Sequence, residues 1–263
     1  MTAMKDEVAL VTGGGRGFGR AIAERFAGEG AAVAVMARTT RQLDEVVRAI
    51  EAQGGRALAV AGDVTSAADV DAAVSRIERE LGPLTVFVNN AGVPGPFGPI
   101  FDVDVEKWWA AQAVHIRAPM LFLRRILPGM VERDRGRVIV VSAKAARIVA
   151  PHMSAYCTGK IAQNRIVAEA AAELADSAVS LFAIDPGFVY TQLAADTERS
   201  PEAQKWLPGM MARLAEKARD EERKDLELCA QRCVDLASGR YDALSGNYYE
   251  LTDDLDAALA QAG

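Results

Sequence analysis

The segment Thr12-Gly13-Gly14-Gly15-Arg16-Gly17-Phe18-Gly19 constrains this chain more than any other. It closes a short apolar run at 8–12 and opens an amphipathic stretch at 17–29. Glycines at a strand-to-helix junction let the backbone turn tightly and let a ligand come close to it. The unpaired amides at the start of the helix then face that ligand, and they favour an anion such as a pyrophosphate. A glycine triplet alone is weak, but the strand before it and the helix after it supply the context that makes it a dinucleotide-binding turn. Gly13, Arg16, Gly17, Phe18 and Gly19 are its candidate contacts.

The same strand–helix alternation runs through the chain. Short runs rich in Val, Ile and Ala at 8–12, 32–37, 57–61, 86–89, 138–141, 180–184 and, last, 246–251 read as strands buried on both faces. Between them, 17–29, 40–53, 67–81, 105–132, 152–175 and 222–238 read as helices. Right-handed crossovers give an α/β fold, a doubly wound parallel seven-stranded sheet of the Rossmann type with helices on both faces. Ligands then sit beyond the carboxyl ends of the strands. No linker or repeat divides residues 1–263, so one domain is expected. The segment 190–220, with Pro201, Trp206, Pro208, Met210 and Met211 among charged residues, breaks the alternation and reads as a substrate lid.

Composition excludes several classes. A net charge of −6 argues against nucleic acid as a partner, since phosphate binding needs a basic face. Cys157, Cys229 and Cys233 are too few for a disulfide framework, and Cys229 and Cys233 read as half-buried helix positions rather than metal ligands. No metal site is expected. The polar opening, Met1 to Glu7, does not read as a secretory leader, and no apolar run is long enough to span a membrane. A cytoplasmic protein is the expectation.

Four further motifs appear in order: Asp63-Val64, Asn89-Asn90-Ala91-Gly92, Tyr156-Cys157-Thr158-Gly159-Lys160, and Pro186-Gly187-Phe188-Val189-Tyr190-Thr191. With these the chain resembles the short-chain dehydrogenase/reductase family over nearly its whole length. The resemblance implies that Asp63 and Val64 contact an adenine ring and that Asn89 and Gly92 line the path of a nicotinamide dinucleotide. It also implies that Val189 and Thr191, after Pro186 and Gly187, hold the nicotinamide carboxamide. Charge bears on the choice of cofactor. A chain that selects NAD usually offers a carboxylate at the end of the second strand, whereas here that strand ends Met36-Ala37-Arg38-Thr39. Arg38 and Arg16 can fork onto a 2′-phosphate, which points to NADP(H).

Tyr156 and Lys160 are four apart on a helix and share a face. An ammonium one turn away stabilises a phenolate and brings a phenol nearer to the working range of an acid–base group. The resemblance implies that the tyrosine exchanges a proton with a substrate oxygen while hydride moves at the nicotinamide, and that Lys160 also holds the ribose. Two positions depart from the family. Ala143 stands where a serine is usual, with Ser142 beside it, and His115 stands where an asparagine is usual. Loss of one such hydroxyl typically costs roughly 100- to 1,000-fold in rate. His115 either preserves the proton relay with a group that titrates near neutrality or is a satisfied buried histidine. Tyr156, Lys160, Ser142 and His115 are the candidate catalytic residues.

The expected activity is NADPH-dependent reduction of a carbonyl on a hydrophobic or aromatic small molecule, with a wall from Phe97, Ile148, Val149, Met153, Phe188, Trp206 and Met210. The alternatives are a different step in the same pocket (dehydration, isomerisation or cyclisation) or a catalytically silent nucleotide-binding protein. A homodimer or homotetramer through 105–132 and 152–175 is the expected assembly, as the resemblance implies.

Overall fold

The computed structural model describes residues 3–218 and 224–262. Seven strands, β1 (Val8–Thr12), β2 (Ala32–Ala37), β3 (Arg56–Ala61), β4 (Val86–Asn89), β5 (Gly136–Val141), β6 (Val179–Ile184) and β7 (Tyr248–Tyr249), form one parallel sheet. Its order is β3-β2-β1-β4-β5-β6-β7, so the chain reverses direction across the sheet between β1 and β4. That reversal opens the crevice where a doubly wound sheet binds its ligand.

Side chains alternate along each strand and build two cores. Ala9, Val11, Val33, Val35, Val88 and Ile139 point to one face. There α1 (Gly17–Gly28) and α2 (Thr40–Glu51) cover them, together with α10 (Lys224–Ala237). Leu10, Ala34, Phe87, Val138 and Leu181 point to the other, under α3 (Ala67–Glu80), α5 (Ala118–Glu132) and α6 (Ser154–Glu173). Small and β-branched residues let helices pack close on both faces, and this is why the strands read as continuous apolar runs.

Several expectations change. The stretch 105–132 is not one uniform helix. It is α4 (Val105–Gln112), a π-helical turn (Ala113–Arg117) and α5. Pro119, at the start of α5, has no N–H and its ring would press on the carbonyl four residues back, that of His115. A wider turn at that point relieves the clash. The last strand contracts from 246–251 to two residues, because Gly246 lies at φ +87° and the Glu250 amide turns to the Asp253 carboxylate at 2.7 Å. Helix α6 begins at Ser154, after a left-handed His152 at φ +68° whose carbonyl accepts from the Gly98 amide at 3.0 Å. Cys229 and Cys233 are fully buried in the first core rather than half-buried. The segment expected to be a lid forms three short helices, α7 (Gln192–Arg199), α8 (Pro201–Trp206) and α9 (Pro208–Lys217); residues 219–220 of that expectation, and 222–223 of the following helix, lie outside the described residues. A final helix, α11 (Leu255–Ala262), closes the fold.

Candidate active site

The glycine turn is held by main-chain and threonine contacts. The Gly13 amide donates to the Met36 carbonyl at 2.8 Å, and Gly13 and Gly17 adopt φ of +64° and +54°. A Cβ at Gly19 would stand 2.4 Å from the Gly13 carbonyl oxygen, so only glycine lets α1 start this close to the turn. Asn90 braces the turn from β4 by donating to the Thr12 carbonyl at 2.9 Å, while Thr12 Oγ1 accepts from the Asn90 and Ala91 amides. Asn90 therefore ties β4 to the glycine turn.

The turn fits a pyrophosphate. Helix α1 starts with no side-chain cap and no acid in its first turn, whereas Ser66 caps α3 and Asp104 caps α4 through side-chain oxygens. Its first amides are left to a ligand. Phe18 packs its ring partly against the first core, leaving its backbone for such a contact.

Around the turn, Asp63 accepts from the Thr65 amide and hydroxyl, both at 2.8 Å. Those bonds, with Arg38 nearby, hold its carboxyl below the usual aspartate range. Val64 packs partly on the second core. Arg38 is exposed and lines a cleft of 800 Å³ that also takes in Val93 to Pro99, Lys107, Lys205 and Trp206. Arg16 is exposed as well, 3.9 Å from Asp196 on α7. On the other side, Gly187 (φ +79°) follows Pro186, and the Phe188 amide donates to Asp225 Oδ2 at 2.8 Å. Val189 is buried, and the Thr191 methyl lies 3.3 Å from where a Gly17 Cβ would be, so this loop closes onto the glycine turn.

Tyr156 and Lys160 sit on the first two turns of α6, with the Lys160 ammonium 5.7 Å from the centre of the phenol ring. Lys160 Nζ donates to the Val141 carbonyl at 2.8 Å and to Gln163 Oε1 at 3.1 Å. Burial pulls its pKa down to about 7, against the supporting charge of Asp185 at the end of β6. Burial pushes the Tyr156 phenol above its usual range, and Asp185 adds to that.

His115 reaches this centre from the π-helical turn. It is fully buried, its Nε2 is 2.8 Å from the Val93 carbonyl, and its ring meets Tyr156 edge-on at 5.6 Å. The bond to a carbonyl fixes Nε2 as the protonated nitrogen and leaves Nδ1 bare, buried and without a protein partner. Burial first, and Lys160 second, pull its pKa down to about 3. Of the two readings of His115, this favours the buried histidine over a group titrating near neutrality. His115 stays neutral across the working range.

Ser142 is 2 % exposed and turns its hydroxyl to the Lys160 carbonyl at 3.4 Å, consistent with alternation at a strand end. Asn89 is buried and Gly92 stands beside the centre, since a Cβ there would lie 3.5 Å from His115 Cε1 and 3.9 Å from Lys160 Nζ. Of the residues expected to form the wall, Phe97 and Met153 join Cys157, Ala203 and Leu207 in a small core with Met210 and Tyr156 against it, and Trp206 stacks on His152 at 5.0 Å. Phe188 lies instead under the Arg213 guanidinium at 4.8 Å. Ile148 and Val149 stand in solvent, Val149 94 % exposed, and are not part of that wall.

Sequence reading missed Gln163, Gly159 and Asp225. Gln163 was findable, being three residues beyond Lys160 on the same helix. A glycine inside a helix is a visible signal, but the fit of Gly159 against His115 joins segments far apart in sequence, and nothing local names that partner. Among the described residues no cluster of His, Cys, Asp or Glu could hold a metal, and no helix is long and apolar enough to cross a membrane.

Residues 7–202 match the family described as short chain dehydrogenase. The chain is 35 % identical over 263 residues to a short chain dehydrogenase of Pseudocercospora fijiensis, covering 98 % of this chain and 84 % of that one. It is 35 % identical over 205 residues to 2-(S)-hydroxypropyl-CoM dehydrogenase 3 of Xanthobacter autotrophicus, covering 76 % and 80 %. Among solved structures, a metagenomic short-chain oxidoreductase in complex with NADP superposes with a TM-score of 0.67 at 36 % identity, over 71 % of this chain and 85 % of that one. With its seven-stranded parallel sheet and these matches, the chain belongs to the short-chain dehydrogenase family and is an oxidoreductase that binds a nicotinamide cofactor.

Proposed function

We propose that this chain reduces a ketone on a hydrophobic or aromatic small molecule with NADPH, using Tyr156 as general acid and base. The observation that carries the reading is Tyr156 itself, packed against the apolar cluster of Phe97, Met153 and Leu207 with the Lys160 ammonium one turn away. Bound NADPH supplies the hydride that adds to the carbonyl carbon. Tyr156 gives its phenolic proton to the carbonyl oxygen as negative charge develops there. The phenolate left behind is stabilised by Lys160 and takes a proton back from solvent. His115, being neutral, supplies no proton; it ties the Val93 carbonyl, and with it the loop lining the cleft, to the edge of the tyrosine ring. Ser142, turned into α6, does not serve as the missing donor.

NADPH consumption with a panel of alkyl and aryl ketones tests the reading. Turnover above the ketone-free rate supports it. Nucleotide binding with no turnover on any of them overturns it in favour of a step without net hydride transfer.

The choice of NADPH over NADH rests on Arg38 at the tip of β2, a strand end that carries no acid of its own, and on Arg16, whose exposed pairing with Asp196 is weak enough to give way to a phosphate. A relative in complex with NADP supports it. Arg38→Asp is expected to weaken NADPH binding roughly 10- to 100-fold, from loss of charge-assisted bonds and gain of repulsion, with NADH affected far less. Fluorescence titration of both nucleotides checks this, and an unchanged ratio would remove Arg38 from the 2′-phosphate. Exposed Trp109, Met120 and Ile161 on α4, α5 and α6 support self-association through those helices.

A further inference from the structure

Gln163 is a polar side chain on the core-facing side of α6, only 1 % exposed. Burying a carboxamide is unfavourable unless its groups are bonded, so an apolar residue would pack there at less cost. What the position gains is Lys160. Gln163 Oε1 lies 3.1 Å from Lys160 Nζ, and the Val141 carbonyl, at 2.8 Å, is the other acceptor on that buried ammonium. Among the described residues, the remaining groups facing Lys160 are Tyr156 from its own helix, neutral His115 from the π-helical turn and Asp185 from the end of β6. Asp185 acts on it through charge, with one carboxylate oxygen accepting from the Lys144 amide at 3.0 Å. The direct bonds that hold the ammonium are therefore one main-chain carbonyl, which substitution cannot remove, and one side chain, which it can.

We infer that Gln163 is a positioning residue: together with the Val141 carbonyl it holds the Lys160 ammonium beneath Tyr156 and favours its charged form against the burial of the site. The inference rests on the role given above to Lys160. A carboxamide suits the task because it accepts from the ammonium without bringing a charge of its own. Lys160 remains able to lose its proton near neutrality, where a carboxylate in the same place would fix it as a cation.

Gln163→Leu and Gln163→Glu test this in the full chain. In the leucine variant the ammonium loses an acceptor, so the pH at which ketone reduction declines moves down by roughly one unit, kcat falls about tenfold and KM for the ketone stays within about twofold. In the glutamate variant the decline moves up by a similar amount. Shifts of opposite sign cannot come from a general loss of packing. A second measurement needs neither substrate nor nucleotide. Lys160 titrates at about 7 in the folded chain and near 10.5 when unfolded, so between those values the unfolded state binds more protons and stability rises with pH. The rise in Tm begins at lower pH in Gln163→Leu and at higher pH in Gln163→Glu than in the wild type. If the wild type turns over no ketone, the proposed reaction fails while the Tm curves still decide the role of Gln163. Should the leucine variant not fold, the upward shift in the glutamate variant decides alone. Superimposable pH dependences in the wild type and the folded variants overturn the inference.

Discussion

Replacing Tyr156 with phenylalanine lowers ketone reduction by roughly 1,000-fold while NADPH affinity stays within about twofold. The substitution removes one hydroxyl and keeps the ring that packs on Phe97, Met153 and Leu207 and meets His115 edge-on, so the apolar wall is preserved. In the proposed step the phenol gives its proton to the new alkoxide, and among the described residues the polar groups nearest to it are engaged elsewhere. Ser142 points at the Lys160 carbonyl, Ala143 has no hydroxyl, and His115 holds its only N–H on the Val93 carbonyl. Burial and Asp185 raise the phenol pKa, which keeps the acid form populated through the neutral range and suits the reducing direction. Lys160 sets the other limit. Its charge stabilises the phenolate formed in the step, and it loses its proton as pH climbs through about 7. Wild-type reduction is therefore fastest on the acid side of that value and declines above it. The residual rate of Tyr156→Phe lacks this decline, because no phenolate is formed. Steady-state rates across pH, paired with nucleotide titrations, check both points. Reduction by Tyr156→Phe at near wild-type rate would end the proton-transfer role of this residue.

The fold was legible because its signals are local. The boundaries of β1, β2 and β4 follow directly from apolar runs cut off by turn residues, and the α1 start follows from Gly17. The glycine turn was legible for the same reason: its glycines, strand and helix are contiguous. What escaped depends on contacts between distant segments. Pro119 is visible in the sequence, but its effect on the His115 carbonyl appears only once both lie on one helix. The shift of His115 away from neutrality needs its burial and the approach of Lys160 from another helix. The outward stance of Ile148 and Val149 reflects a loop whose direction is set by its partners, the Gly98–His152 bond and the His152–Trp206 stack. Apolar character alone could not separate these two residues from Phe97 and Met153.

Gly159→Ala is expected to damage both stability and turnover, although the change looks favourable on helix propensity. Glycine inside a helix costs up to about 1 kcal/mol relative to alanine, and Gly159 lies well inside α6. The chain accepts that cost because α6 runs against the π-helical turn here. A Cβ at 159 would stand 2.6 Å from His115 Cβ, 2.8 Å from its Cγ and 3.0 Å from its Cδ2. None of these is the free end of a flexible side chain, so the turn itself must shift. Overpacking of this kind costs roughly 1–3 kcal/mol, and in a chain of this size each kcal/mol lowers Tm by about 2–4 °C. The shift also moves His115 off the Val93 carbonyl and away from Tyr156, and displacements of this order in a catalytic centre cost roughly 100-fold in rate. A His115→Ala background separates this cause from others. It removes Cγ and Cδ2 but keeps Cβ, so the added methyl at 159 should cost less there without becoming free. Thermal melts and kcat for the two single variants and the double variant form the cycle. A Gly159→Ala penalty of the same size with and without the imidazole would show that the glycine answers to some other neighbour than His115.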